Sequence, residues 1–223
     1  MRFLDNKLKL LTVAKLTKKV KHQLLFKNLD LVIHKNEWVG IEGANGTGKS
    51  TLVKIIMGLE NYSSGEIYFE GRSMDHFSKD EWVQKIQLVT QYTRRALDPT
   101  KTIEQILLEP LKQFKLVARS GYMAELKLIL KACHLSEEVL TKKPNQLSGG
   151  QYQRVCLGLA LLVKPKLLIC DEATASLDKI NELKIIQYLK QQPNLAVLMI
   201  SHNQKMLAEV CNRRICLADF KNK

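Results

Sequence analysis

Apolar residues recur along the chain at two different periods. Residues 8–16 and 23–33 mix alternating and continuous apolar positions, with Leu29, Leu31 and Ile33 two apart, as in half-buried strands. Trp38–Glu42 forms a third short strand that runs into Gly43. From Ser50 to Leu59 the period lengthens, and Leu52, Val53, Ile55, Ile56 and Leu59 fall on one face of a predicted helix. The result is a strand, a glycine-rich loop and a helix in succession. Glu66–Glu70 alternates between Gly65 and Gly71 as a strand closed by a turn, and Ile86–Gln91 is another short strand. Between Thr102 and about Val163 the spacing is helical throughout, which predicts a helical subdomain. Beyond Pro165, Lys166–Cys170 and Leu195–Ile200 are apolar runs flanked by polar residues, the pattern of parallel strands covered on both faces. Arg214–Ala218 is the last strand. No repeat of solenoid period occurs, and the fold class is α/β with a parallel sheet interrupted by helices.

The 223 residues suit one large domain or two small ones. With 45% hydrophobic and 26% charged residues and a mean hydropathy of -0.15, the composition excludes fibrous and disordered classes. Lys and Arg number 35 against 22 Asp and Glu, a net charge of +13 spread along the whole chain. Such charge suits nucleotide phosphates, an anionic membrane surface or an acidic partner. The five cysteines are odd in number, lack CxxC spacing and mostly sit among aliphatic neighbours, which disfavours a zinc site or a disulfide framework. Lysines break up the first sixteen residues, and the longest apolar run, Leu157–Val163, is too short to span a bilayer, so a cytoplasmic chain is expected.

Three segments carry chemistry. Gly43–Ser50 reads G-x-x-x-x-G-K-S between a predicted strand and a predicted helix. Glycines let such a loop wrap phosphate oxygens with backbone N–H groups, at a helix N-terminus whose dipole favours anions. Lys49 then neutralises β/γ-phosphate charge, and Ser50 offers a hydroxyl to Mg²⁺. Leu167–Cys170 leads into Asp171 and Glu172 at the C-terminal end of a central strand, where open α/β sheets bind ligands. Alternation along the strand would aim the two carboxylates apart, Asp171 toward the metal shell and Glu172 toward the attacking water. In Leu147–Gln151 a serine and two glycines open a helix. An ordinary N-cap explains Ser148, but not two consecutive glycines that each weaken a helix.

In this order the chain resembles the ATP-binding-cassette (ABC) ATPases over essentially its whole length. Gly43–Ser50 looks like the family's Walker A, Gln91 its Q-loop glutamine, Leu147–Gln151 its signature and Leu167–Glu172 its Walker B. Ala175–Asp178 looks like the D-loop, and His202 the switch histidine. The resemblance implies one ABC domain over 1–223. A RecA-like parallel core would come from 1–91 and 163–223, with an antiparallel β subdomain, and a helical subdomain would occupy 92–162. It implies ATP and Mg²⁺. Asn45, Gly46, Thr47, Gly48, Lys49, Ser50 and Thr51 would hold the nucleotide, while Ser50, Gln91 and Asp171 would surround the metal. Glu172 would be the base, Gln91 would contact Mg²⁺ or the attacking water as a further catalytic residue, and His202 would hold the γ-phosphate. In the family's head-to-tail dimer, Ser148, Gly150 and Gln151 serve the partner's nucleotide.

The stretch Arg94–Ile103 followed by Glu109–Leu111 further resembles ATPases that energise importers of oligopeptides, dipeptides, nickel or metallophores, with Arg94, Arg95 and Asp98 as candidate docking residues. The expected partners are a second ABC ATPase, two transmembrane permease subunits and a solute-binding protein, at the cytoplasmic face of the membrane. The family's adenine-stacking aromatic falls by register on Val20, leaving Val20 or His22 beside the base. The alternative reading is a soluble ABC ATPase acting on nucleic acid or ribosomes. A single cassette without heptads or zinc spacing counts against it, and no nucleic-acid partner is expected.

Overall fold

The computed structural model describes residues 8–21, 23–91, 96–173 and 178–220. In chain order, β1 (Lys9–Val20), β2 (Gln23–His34) and β3 (Trp38–Glu42) lead into α1 (Lys49–Ile56). Then come β4 (Ser64–Phe69), β5 (Arg72–Ser73), α2 (Lys79–Lys85) and β6 (Ile86–Thr90). Three helices follow, α3 (Ile103–Gln113), α4 (Tyr122–Ala132) and α5 (Gly149–Leu162), before β7 (Leu167–Asp171). The chain ends with α6 (Lys179–Lys190), β8 (Ala196–Ile200), α7 (Gln204–Val210) and β9 (Arg213–Cys216). The strands form two sheets, an antiparallel one ordered β2-β1-β4-β5 and a parallel one ordered β6-β7-β8-β3-β9. Among the described residues no helix is long and apolar enough to cross a membrane.

The apolar runs of β7 and β8 hide an alternation that decides where the core lies. Leu167 and Ile169 of β7, with Ala196, Leu198 and Ile200 of β8, face a cluster shared with α1 and the antiparallel sheet. Leu168 and Cys170, with Val197 and Met199, face a second cluster shared with α3, α4 and α5. Period-2 geometry thus sends successive side chains of one strand into two cores. No position of these runs is left for a polar side chain until the strand ends.

Several elements differ from the sequence expectation: β5, α6 and α7 are not among the predicted elements, β9 ends at Cys216 and not at residue 218, and β1 and α2 show the physical reasons best. The first predicted strand stops at residue 16, whereas β1 continues to Val20. Its register against β2 shifts between Val13 and Leu16, where Lys15 adopts φ 48, so the apolar alternation breaks although the ladder goes on. Helix α2 lies where no helix is predicted, because only Trp82 of its seven residues is buried. It is started by a capping box, Ser78 and Glu81 exchanging side-chain and backbone bonds, and fixed by Trp82. The indole Nε1 of Trp82 donates to the Ile56 carbonyl at 2.9 Å, and its ring packs edge-on to Phe69 and Phe77.

The two sheets are joined at the corner between β2 and β3. Asn36 takes a left-handed φ of 61, and the buried Glu37 gathers the surrounding donors. Its carboxylate accepts the His34 backbone N–H at 2.7 Å and Arg213 Nε at 2.7 Å, with His34 Nδ1 3.0 Å away. The same guanidinium donates to the Val32 carbonyl, which ties β9 of one sheet to β2 of the other. Burial alone would raise the Glu37 pKa, but the bonds from Arg213 and His34 outweigh it and hold the carboxyl below its usual value. Glu37→Gln is expected to destabilise the fold by about 1–3 kcal/mol at neutral pH. A depressed carboxylate pKa contributes stability that is full above the unfolded-state value and lost as pH falls through the folded one. The gap between wild type and variant should therefore close in acid, which denaturant titrations at neutral pH and at about pH 3 would measure.

Candidate active site

Where β3 ends, the chain enters the loop Gly43–Ser50, and its glycines are required by geometry. A Cβ on Gly43 would stand 2.6 Å from Thr47 Oγ1, the hydroxyl that donates to the Ala44 carbonyl at 2.9 Å. Gly48 sits at φ 98 as the N-cap of α1, and a Cβ there would press on the Phe26 ring at 3.3 Å. No side chain caps this helix, so the amides of its first turn, from Lys49, Ser50 and Thr51, present their positive dipole end to the loop. Lys49 Nζ donates to the carbonyls of Gly43 at 2.7 Å and Ala44 at 3.0 Å.

The C-terminal end of β7 supplies the carboxylates. Asp171 pairs in register with Thr90 of β6 and Ile200 of β8, and its carbonyl accepts the Gln91 backbone N–H at 2.9 Å. Ser50 Oγ donates to Asp171 Oδ2 at 3.4 Å. Burial pushes the Asp171 carboxyl above its usual range, against the downward pull of the Ser50 hydroxyl and the charges of Lys49 and His202. Glu172 does part from Asp171, but not by the strand alternation expected above. The strand stops at Asp171, and Glu172 turns away at φ 55, a left-handed conformation uncommon for a side chain of this kind. Its backbone N–H is anchored on the Ile200 carbonyl at 2.9 Å. Its Oε1 accepts the His202 N–H at 3.0 Å and lies 3.5 Å from His202 Nε2. The end of β8 and the end of β7 therefore fix this carboxylate and this imidazole together.

A cavity of about 520 Å³ opens over these groups. Asn45, Gly46, Gly48, Lys49, Ser50 and Thr51 form its loop and helix side, and Gln91, Asp171, Glu172 and His202 its sheet-edge side. Val20 also lines it, and His22 falls outside the described residues. Gln23, Leu25 and Thr90 also line it and were not among the expected residues. Gln23 and Leu25 belong to β2, whose approach to the loop is a tertiary contact with no local signature. Thr47 belongs to the loop but not to the cavity wall, its hydroxyl being turned to Ala44. A roomier groove of about 780 Å³ between α4 and α6 holds none of the motif residues.

Ser148, Gly150 and Gln151 lie away from this cavity, at the start of α5. Ser148 and Gln151 cap their own helix reciprocally, at 3.0 and 3.2 Å. The exposed Gly149 has no positive φ and open space where a Cβ would point, so nothing within the chain demands a glycine there. Of the predicted D-loop, Ala175, Ser176 and Leu177 lie outside the described residues, and Asp178 caps α6 by accepting the Asn181 N–H at 3.0 Å. Arg94 and Arg95 also lie outside them. Asp98 is turned inward to its own loop, accepting both the N–H and the hydroxyl of Thr100 with Lys101 alongside.

The donor set fits Mg²⁺. Ser50 Oγ and Asp171 Oδ2 are adjacent hard oxygens, with Gln91 on the same wall. Among the described residues no cluster of three or more His, Cys, Asp or Glu stands together. All five cysteines are free thiols, and burial pushes Cys133, Cys156 and Cys170 up to about 12.

The family profile of ABC transporters matches residues 26–175. The nickel import ATP-binding protein NikE of Shigella boydii is 39% identical over 201 residues, covering 87% of this chain and 75% of that protein. NikE of Escherichia coli K12 is 38% identical over the same shares. Among solved structures, the ATP-binding cassette MJ0796, a dimer in a post-hydrolysis state with ADP and Pi, is similar at TM-score 0.80. It is 29% identical, and the match covers 92% of this chain and 93% of that one. cbiO1 of Clostridium perfringens, part of the transporter complex cbiONQ, matches at TM-score 0.80 and 25% identity over 93% of this chain and 84% of its own.

Gly48→Ala is expected to destabilise the protein by about 1–3 kcal/mol through the left-handed φ and the Phe26 contact, and to weaken nucleotide binding as the loop shifts. A denaturant midpoint together with a nucleotide titration would check both effects.

Proposed function

The chain belongs to the ABC transporter family and is an ATPase, and from that membership we propose that it energises a membrane importer of nickel, a metal chelate or peptides. The observation that carries the ATPase part of this reading is the cavity that gathers Lys49, Ser50, Gln91, Asp171, Glu172 and His202. The likeness to NikE supports nickel or a nickel chelate as cargo. The subunit would work peripherally at the cytoplasmic face of the membrane, with a second ATPase, two permease subunits and a solute-binding protein. Residues 92–162 would act as a helical subdomain between the two parts of the nucleotide-binding core.

In this reading the amides of Asn45, Gly46 and Gly48 and of the first turn of α1 cradle the phosphates, Thr47 braces the loop through its bonds to the Ala44 carbonyl, and the Lys49 ammonium neutralises the β- and γ-phosphates. Ser50, Asp171 and Gln91 would hold Mg²⁺, whose charge lowers the electrostatic cost of phosphoryl transfer. Glu172 accepts a proton from the attacking water, and its bond from the His202 amide sets the carboxylate at the sheet edge. His202 meets the γ-phosphate. The open, side-chain-free face at Gly149 supports a role for Ser148, Gly150 and Gln151 at the nucleotide of the opposing subunit.

Glu172→Gln is expected to keep ATP binding while turnover falls by about 10²–10⁴-fold. Nucleotide titration beside phosphate release would check this, and turnover at the wild-type rate would remove Glu172 as the base. Lys49→Ala should instead raise the dissociation constant for ATP. Affinity purification from detergent-solubilised membranes should recover two permease subunits, whereas recovery of ribosomes or nucleic acid with no permease would overturn the importer reading.

A further inference from the structure

The first turns of α5 hold both flanks of the segment that begins with Gln91. Gln153, 4% exposed, donates its side-chain amide to the Thr90 carbonyl at 3.1 Å, one residue before Gln91. Tyr152, 7% exposed, accepts the Leu97 backbone N–H on its hydroxyl at 3.1 Å. Leu97 is itself buried in the cluster that contains α5. These two consecutive residues follow directly on Ser148–Gln151, and the Tyr152 N–H is bonded to the Ser148 carbonyl at 2.9 Å, so turn and clamp form one rigid helical unit. On its other side, Gln91 is held through its own N–H by the Asp171 carbonyl.

A core-filling role does not account for these bonds. Phenylalanine would occupy the same volume as Tyr152 but leave the buried Leu97 amide without this acceptor, and an apolar residue at 153 would strip the Thr90 carbonyl of its donor. We propose that Tyr152 and Gln153 are positioning residues that set Gln91 in this subunit's nucleotide cavity according to the placement of the Ser148–Gln151 turn. A displacement of that turn is carried by α5 to Thr90, and from there to the adjacent Gln91, while Leu97 is held to the same helix. The proposal rests on the roles given above to Gln91 and to the turn.

The test is steady-state phosphate release by the full chain over a range of ATP concentrations, for wild type, Tyr152→Phe, Gln153→Leu and Gln91→Ala. Tyr152→Phe and Gln153→Leu should each lower kcat by about three- to tenfold with KM for ATP unchanged, and reduce any cooperativity in ATP toward a Hill coefficient of about 1. If Gln91→Ala slows turnover while both clamp variants turn over at the wild-type rate, the positioning role is wrong and the site reading stands. A clamp variant whose KM rises along with a fall in its unfolding temperature reports a structural staple and equally overturns the proposal. If Gln91→Ala turns over normally, the role of Gln91 falls and the inference with it.

Discussion

Burial of the central parallel strands on both faces is the constraint from which the rest of this structure follows. Inside β7 and β8 every side chain enters one apolar cluster or the other, so a polar group has no place until the strand stops. Asp171 is the first residue of β7 that can be polar, and its partly buried carboxyl shows the cost in its raised proton affinity. Thr90, Asp171 and Ile200 stand in register across three strands, so the residues that follow them, Gln91, Glu172 and Ser201, emerge on one line. The loop after β3 opens at the same sheet edge, and the site is what collects there.

Much of this was legible in the sequence wherever the signal is local. The loop Gly43–Ser50 announces itself because three backbone positions need glycine or a left-handed φ, and it stands between an apolar strand and a helix with a regular apolar face. The ends of β3, β6 and β7 follow from the same cause, since a polar residue after an apolar run marks where burial stops. Features that depend on distant contacts were not legible. Trp82 gives α2 its only buried anchor, on a carbonyl 26 residues away, and Tyr152 finds Leu97 across 55 residues. Nothing near either residue in the sequence signals such a partner. Gln23 and Leu25 reach the cavity only because β2 folds over the loop.

Glu172 shows how far local rules carry. Its chemistry was readable as a carboxylate after a strand, and its divergence from Asp171 was expected, but the means differ. A left-handed residue costs on the order of 1 kcal/mol, and here it is held by two bonds, its N–H on the Ile200 carbonyl and its carboxylate on the His202 amide. Both partners come from the end of β8. The carboxylate proposed as the base and the backbone of the histidine beside it are thus parts of one arrangement.

The lysine of the glycine-rich loop has a further consequence. Its ammonium rests on the carbonyls of Gly43 and Ala44, so the loop supplies its own internal occupant for the positive charge. The phosphate binding proposed at this lysine would then be an exchange of one set of oxygens for another, not the capture of an anion by an unsatisfied cation. An exchange would yield only the difference between two strong interactions, and the loop would return to the same self-satisfied state once the phosphate left.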